Sequence, residues 1–492
     1  MAITLGDNLN SVPSAQKKAL ATNYLDLASS SNAGWSQQYL PDLMEKEAEV
    51  FGPRTISGFL AQVGAEESMT ADQVVWSEQG RLHISLLGNM SAQNVFTVEA
   101  DIDDNIAGDG FTIENHGVRV NDTVIISNSD GVFKCIVTTI TNEAITVACY
   151  TQTNVAANTN SKKTTLLVYG SEYGKGTGYY DNTGANKDKE RHSANEPAFK
   201  TFKNKPIIMK DYYEVSGSDA SRIGWVEIST EGGQGGYLWY LKAESDTRSR
   251  FTDYVEMAML EAEEAAGTNG VDDQLDIGGT AATSAGTQGL FAAIEDRGHL
   301  ASGVTGVNAA TDLAEFDAIL AEFDKQGAIE ENMLFVNRAT SLAFDDMLAS
   351  MNSYGAGGTS YGVFDNSEDM ALNLGFSGFR RGSYDFYKSD FRYLNDKATR
   401  GGINDAAGSG AIRGVIIPAG SSSVYDQTVG QSIRRPFLHV RFRASQTDDR
   451  RMKTWTTGSV GAATSALDAM SLHFLTERCL ITQGANNFML LK

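Results

Sequence analysis

The stretch from Gly236 to Gly267, GYLWYLKAESDTRSRFTDYVEMAMLEAEEAAG, constrains the fold of this chain more than any other. No Pro or Gly lies between positions 237 and 266, so nothing in it stops a helix. Tyr240, Ala243, Phe251, Tyr254, Val255, Ala258 and Ala262 recur at spacings of three, four or their sums, which gathers them on one helical face. Glu244–Arg248 and Asp246–Arg250 are spaced i,i+4 with the acid first, the favourable order. Gly232, Gly233, Gly235 and Gly236 precede the stretch. The pattern predicts one continuous helix over about 237–265, burying Phe251, Tyr254 and Val255. A helix of that length needs a body to lie along. The rest of the chain reads as short, strand-like, glycine-rich segments, so the helix is expected to be the spine of an otherwise β-rich protein.

At 492 residues the chain is too long for one ordinary core, and two to four domains are expected. Hydrophobic residues make up 41% and charged residues 21%, the balance of a globular chain rather than a disordered one. With 49 Gly and 7 Pro, many turns and wide loops are expected. No apolar run approaches a membrane span, and the opening MAITLGDNLNSVPSAQKKAL has no apolar signal core, so neither a membrane nor a secretion route is expected. Cys135, Cys149 and Cys479 show no CxxC spacing, and the histidines form no pair at ligand spacing. That fits a reducing cytoplasm, with no structural metal and no cofactor. Cys135 and Cys149 fall in neighbouring strand-like runs and can face each other. Two buried free thiols are expected there rather than a disulfide. The net charge is −22 and the pI about 4.7. A sequence-independent nucleic-acid binder needs a basic surface, so that class is excluded for most of this surface. An acidic surface keeps a protein soluble and lets it stand beside nucleic acid without adhering.

Residues 1–70 read as an arm. Leu20, Tyr24, Leu25 and Leu27 mark a short amphipathic helix there, with too little apolar surface for a core of its own. Residues 74–86 read as a strand pair or one long strand. Residues 88–170 form a block of close-spaced strands, at 95–98, 118–120, 123–127, 132–140 and 144–148. Turn signals stand at Asn121-Asp122 and Asp130-Gly131, so a small antiparallel barrel or sandwich is expected. Residues 171–206 are polar and 206–215 is again extended. The block therefore reads as inserted into a long hairpin, outward near 74–84 and returning near 197–215. Beyond the spine helix and a Gly/Thr/Ala loop at 268–288, residues 289–425 alternate helices (290–294, 310–323, 338–351) with strands (333–336, 384–387, 414–418). That is an α+β pattern, with wide glycine loops at 354–362 and 400–410. Segments 437–442 and 451–457 read as long strands, and 462–476 as a last helix.

No motif carries an assignable reaction. Asp101-Ile102-Asp103-Asp104-Asn105 resembles the start of a calcium loop, but Ile106 stands where Gly is needed and Thr112 where Glu is needed, so a solvated turn is expected. Gly355-Ala356-Gly357-Gly358 and Gly401-Gly402 lack the following Lys-Ser/Thr of a phosphate-binding loop and read as flexible loops. No GxSxG elbow is present. Glu263–Glu264 sits on the predicted helix, where solvation or interface pairing explains it better than glycoside chemistry. No catalytic residue is assigned. Two basic clusters stand against the acidic background. One is Lys187, Lys189, Arg191, Lys200, Lys203, Lys205 and Lys210; the other is Arg434, Arg435, Arg441, Arg443, Arg450, Arg451 and Lys453. Each can pair within the chain or meet acidic surface on another copy, where complementary patches fix register. For the first cluster, Glu256, Glu261, Glu263 and Glu264 near the helix end are the plausible intersubunit partners.

An arm, a long hairpin, a spine helix, an α+β domain and a late return strand follow in one order. In that order the stretches GSDASRIGWVEIST, GGYLWYLKAESDTRSRFTDYVEMAMLEAE and RRPFLHVRFRASQTDDRRMKTWTTGSVGAA resemble the major capsid proteins of tailed bacteriophages, those with the HK97 fold. Among these they are similar to the capsid proteins of crAss-like and related phages infecting Bacteroidetes. The resemblance implies an α+β HK97-like capsid fold with an N-terminal arm (1–70) and a long E-loop hairpin (71–87 and 171–215). A small all-β insertion domain (88–170) would interrupt that hairpin. The P-domain with the spine helix would comprise 216–275 and 430–460. The A-domain and C-terminal segment would comprise 276–429 and 461–492.

The resemblance also implies a function. The chain would be a major capsid protein that self-assembles, through hexameric and pentameric capsomers, into the icosahedral head shell of a tailed double-stranded DNA phage. Assembly would take place in the bacterial host cytoplasm, with separate scaffolding, portal and head-decoration proteins as partners. Packaged DNA would be enclosed without specific binding. Two features depart from the family pattern. The block at 88–170 exceeds a plain E-loop, and no long coiled-coil region at the N-terminus suggests a fused scaffolding domain. Some family members crosslink an E-loop Lys to a neighbour's Asn, and neither residue is matched here. The alternatives are a decoration or fibre protein, where a fibre should show repeats or heptads, and a carbohydrate-active enzyme, which should show a signal peptide and a carboxylate pair. The chain shows none of these.

Overall fold

Strict alternation of apolar residues organises the first part of the chain. The computed structural model describes residues 65–79, 83–103, 107–108, 111–151, 154–175, 199–217, 227–229, 235–265, 285–326, 329–352, 378–406, 410–419, 421–426, 431–459 and 463–492. The arm up to 64, the loop at 268–284 and the glycine loop at 354–362 lie outside the described residues. Strands β1 (Ala65–Met69) and β2 (Val74–Gln79) come first. Then follow β3 (Ser85–Ala92), β4 (Val95–Asp101), β5 (Asp122–Asn128), β6 (Gly131–Thr141), β7 (Ala144–Cys149) and β8 (Thr164–Ser171). These six close into a barrel in the order β8-β3-β4-β7-β6-β5. Every second residue points inward, so Leu86, Met90, Phe96, Val98, Val124, Ile126, Val137, Ile145 and Leu166 fill the interior. Asn94, Asn121 and Asn142 take positive φ at the turns, the conformation Asn tolerates best after Gly. Closure removes the exposed sheet edges that an open sheet of short strands would carry. The barrel begins and ends slightly outside the block read at 88–170.

Strand β9 (Phe199–Asn204) returns antiparallel to β2, with Phe199 opposite Gln79 and Asn204 opposite Val74. The expected hairpin return at 197–215 is split at this point. Pro206 has no N–H to continue a ladder, and β10 (Ile207–Ser216) leaves the ribbon for the central sheet.

The spine helix is α1 (Leu238–Glu261), shorter at its C-terminal end than expected. Beyond Glu261 the backbone is recruited elsewhere: the Gly289 amide donates to the Ala262 carbonyl at 2.7 Å and the Ala265 amide to the Ala285 carbonyl at 2.8 Å. Thr247, Phe251, Val255 and Met259 are buried. A row of residues four apart drifts around the helix by about 40° per step, so the buried stripe also takes in Glu256 and Leu260. Tyr254 lies on the trailing flank of that stripe and is 47% exposed, which corrects the expectation that it is buried.

The remaining elements are α2 (Leu290–Arg297), β11 (His299–Ala301), α3 (Ala309–Gln326), β12 (Glu331–Val336), α4 (Arg338–Asn352), β13 (Gly378–Arg381), β14 (Tyr384–Asp390) and α5 (Arg400–Ala406). They continue with β15 (Gly414–Pro418), β16 (Leu438–Arg443), β17 (Lys453–Gly458), β18 (Ala469–Thr482) and β19 (Met489–Leu491). Helix α5 corrects the loop reading at 400–410. Its glycines serve close packing: a Cβ on Gly402 would lie 2.3 Å from the Lys397 carbonyl oxygen.

Two sheets share the core. One is six-stranded, in the order β11-β19-β15-β12-β14-β13. Helices α3 and α4 cover one of its faces with Phe316, Phe323, Phe344 and Met347. Its other face meets α2, the end of α1 and the central sheet through Leu290, Ile294, Met259, Val440 and Leu480. The central sheet runs β1-β16-β18-β10, with β17 also pairing with β18. Only β1 is parallel to its neighbour. Its central strand, β18, occupies the segment read as a last helix. It is buried along nearly its whole length, with polar Ser471, Thr476, Glu477, Arg478 and Thr482 buried among its apolar residues, so no clean period-two signal survives. Residues 461–492 are therefore divided: β18 is in the central sheet and β19 in the six-stranded one.

Candidate functional site

Among the described residues no three His, Cys, Asp or Glu side chains come together as metal ligands. Alternation along β10 gives the central sheet two unlike faces. Met209 packs with Phe251, Val255, Leu472 and Phe474 under the helix, and Asp211 pairs with Arg250 of α1 at 3.1 Å. Ile208 and Tyr212 point the other way and are 54% and 60% exposed. On that outer face Tyr212, His473 and Trp455 stand in register on β10, β18 and β17. The Tyr212 and His473 rings stack at 6.1 Å and the Trp455 and His473 rings at 5.1 Å. The Thr457 hydroxyl and His473 Nε2, 2.7 Å apart, hold the imidazole in place. Beside this ladder a shallow cleft of about 470 Å³ is lined by Lys210, Arg450, Lys453, Trp455 and Leu475.

The ribbon of β2 and β9 is anchored at one end and exposed along one face. Trp76 and Phe202 pack as a tilted ring pair, centres 6.0 Å apart, on one side of it, over Met69, Cys479 and Ile481. The Arg297 guanidinium lies 4.3 Å from the centre of the Phe202 ring. Glu78 accepts from the Trp76 indole at 2.9 Å and from the Gly484 amide at 3.0 Å. Burial lowers the Arg297 pKa, against the opposing pull of Glu78 and Asp296. Asn204 closes the ribbon as a buried hub. Its Nδ2 donates to the Leu480 carbonyl at 2.6 Å and the Gln288 carbonyl at 2.9 Å; its Oδ1 accepts from the Thr287 hydroxyl and the Gln288 amide. Replacing Asn204 by Ala strands these groups together, and about 2–3 kcal/mol of stability is expected to be lost. Urea unfolding is the check: the midpoint should fall with an unchanged m-value.

The second basic cluster is engaged inside the chain. Arg441 pairs with Glu67 at 2.9 Å and Arg443 with Glu477 at 2.7 Å; Arg443 also reaches Asp72, and Arg451 reaches Glu66. Arg450 shares Glu477, and Lys453 pairs with Asp448 at 2.6 Å. The Arg441–Glu67 and Arg451–Glu66 pairs fasten β1 along the edge of the central sheet. Arg434 and Arg435 lie on the strand Gln431–Pro436.

Of the first cluster, Lys187, Lys189 and Arg191 lie outside the described residues. Lys200 and Lys203 are on β9, in register with Glu78 and Val75. Lys203 is exposed and Lys205, just past the strand, is half-buried. The four glutamates are not equivalent. Glu256 is buried beneath the helix, close enough to Arg478 to raise that group's pKa against the lowering by burial. Glu261 accepts from the Tyr393 hydroxyl and from Arg400, each at 2.8 Å. Both are thus engaged within their own subunit, which counts against Glu256 and Glu261 as the expected intersubunit partners. Glu263 and Glu264 are exposed beyond the helix end.

The aromatic ladder was missed in the sequence because its members come from three distant strands, one of them read as a helix. The alternation of IIMKDYYEVS over 207–216 was the available signal that one face of this strand is open.

No protein-family model matches this chain, and no curated protein sequence matches it. Among solved structures it is similar to a chain of Gordonia phage Cozz, at 10% identity and TM-score 0.39, over 97% of this chain and 99% of that one. A chain of the asymmetric unit of the bacteriophage PhiM1 mature capsid overlaps at 9% identity and TM-score 0.38, over 92% of each. One of Microbacterium phage Oxtober96 does so at 9% identity and TM-score 0.37, over 95% of this chain and 99% of that one.

Proposed function

We propose that the chain is a shell subunit, the major capsid protein of a tailed double-stranded DNA phage with the HK97 fold, and that it works by packing rather than by catalysis. The observation that carries this reading is the two-faced central sheet. One face is sealed by the spine helix; the other presents exposed Ile208 and Tyr212 beside the half-buried rings of His473 and Trp455. Aromatic side chains are enriched at the cores of protein interfaces, and contiguous exposed apolar surface marks such contacts. The ribbon of β2 and β9, read as the E-loop, lies on a neighbouring copy in this proposal. Lys187, Lys189, Arg191, Lys200, Lys203 and Lys205 meet Glu263 and Glu264 of that neighbour. The sequence resemblance supports the same order of parts, with the barrel as a peripheral insertion. The acidic surface lets enclosed DNA move without adhering.

Exposed ion pairs contribute only about 0–1 kcal/mol each, so no single pair decides assembly. Repeated around every capsomer, they set register and rate and are screened by salt. Light scattering of the purified chain should show assembly slowing steeply as ionic strength rises, with shells or capsomer rings in negative stain. The triple change Lys200→Glu, Lys203→Glu and Lys205→Glu should block assembly without altering the melting curve. Monodisperse monomers at every concentration and salt would overturn the shell reading. Equal rates at low and high salt would leave apolar burial as the cause of docking and remove the charged contact.

A further inference from the structure

Cys135 on β6 and Cys149 on β7 stand directly opposite one another in the barrel wall. The Tyr150 amide donates to the Lys134 carbonyl at 3.1 Å, which makes Lys134 and Tyr150 a hydrogen-bonded pair. The cysteines, one step along, therefore occupy a non-hydrogen-bonded position. There opposed Cα atoms are about 4.5 Å apart and side chains approach most closely. That separation falls within the roughly 4.4–6.8 Å a disulfide spans. The two Sγ atoms are 3.0 Å apart, and both residues are free thiols. The backbone already has the geometry that engineered disulfides usually have to force.

We propose that Cys135 and Cys149 are a redox modification site: a reversible cross-strand disulfide formed by exchange with a small-molecule disulfide such as oxidised glutathione. Exposure sets the order of events. Cys135 is fully buried in the barrel, whereas Cys149 is half-buried at the end of its strand. The Cys149 thiol loses its proton and its thiolate attacks one glutathione sulfur, expelling a glutathione thiolate. Cys135, once deprotonated, attacks the Cys149 sulfur of the mixed disulfide and expels the second glutathione thiolate. Two protein thiols give up two protons and two electrons, and one oxidised glutathione becomes two reduced ones. Burial holds the Cys135 thiol well above the usual range, so its thiolate is scarce, and the second step depends on the 3.0 Å approach of the two sulfurs, which makes it intramolecular. The bond staples β6 to β7 and closes the hairpin between them, so the oxidised chain should melt above the reduced one.

Cys479 is the internal control. It is fully buried in the central sheet, with Arg441 opposite it in register. Burial pushes its thiol up to about 12. The test uses the whole folded chain in mildly alkaline buffer with oxidised glutathione, followed by denaturation, alkylation and peptide mapping. The expected product is the 135–149 linkage, a mass lower by two hydrogens, Cys479 alkylated, and full reversal by dithiothreitol. The Cys135→Ser chain should stop at a lasting glutathione adduct on Cys149. A lasting adduct on the unaltered chain, three alkylated cysteines after prolonged oxidation, or a linkage that forms only in denaturant would each overturn the proposal.

Discussion

Phe251→Ala is expected to lose about 3–5 kcal/mol of folding stability, enough to leave little folded chain above moderate temperature. Phe251 is 1% exposed and its ring lies 6.0 Å from that of Phe474 on β18. Val255, Leu472 and Met209 close the rest of its surroundings. Truncation removes the transfer energy of a whole ring and leaves a cavity between a helix and a sheet, neither of which can collapse freely. Tyr254, three residues along the same helix, supplies the control. Its ring is half exposed, so Tyr254→Ala should change stability by about 0.5 kcal/mol or less. Denaturant unfolding followed by circular dichroism compares the two. Similar losses for both changes would mean that the helix does not bury the face described here.

That contrast shows what the sequence could and could not convey. The spacing of apolar residues over 238–261 located a helix and put Phe251 and Val255 on one side. It could not settle the edge of the stripe, because Tyr254 and Val255 both match a three-or-four spacing and only the sheet beneath chooses between them. The barrel was legible only in part: alternation with Asn and Gly turns marked the strands between 95 and 148, whereas β3 and β8, which close it, were not read as its members and 118–120, read as a strand, forms none. Strand β18 was not legible, since it is buried on both faces and mixes apolar residues with buried Ser471, Thr476, Glu477, Arg478 and Thr482, which leaves no clear period. The fate of Glu256 and Glu261 was hidden as well. Their partners, Arg478, Tyr393 and Arg400, lie more than a hundred residues away, and charge counts along a chain do not report which ions are already paired in the fold. The same blindness applied to the arginines of the late strands, whose partners Glu66 and Glu67 on β1 and Glu477 on β18 are brought beside them only by the fold.

The second large effect concerns the pair that pins α4 to the six-stranded sheet. Lys388 on β14 and Asp345 on α4 form an ion pair whose side chains are only 7% and 10% exposed. The Lys388 ammonium also donates to the Ser341 carbonyl at 3.2 Å. A pair exposed to water would contribute at most about 1 kcal/mol. Here the charges are withdrawn from water, so each depends on the other to offset its desolvation. Lys388→Ala leaves the Asp345 carboxylate buried without its ammonium, and a loss of about 3–5 kcal/mol is expected. The helix affected is the one that seals Phe316, Phe344 and Met347, so proteolysis within residues 309–352 should accelerate. Replacing both partners, as Lys388→Met with Asp345→Leu, removes the desolvation cost along with the attraction. That double variant should recover most of the loss, since apolar replacements of buried ion pairs are often neutral or stabilising. A double-mutant cycle in urea measures the coupling directly. A cost for Lys388→Ala of about 1 kcal/mol or less, with no recovery in the double variant, would place the pair among surface ions and transfer the anchoring of α4 to its apolar face alone.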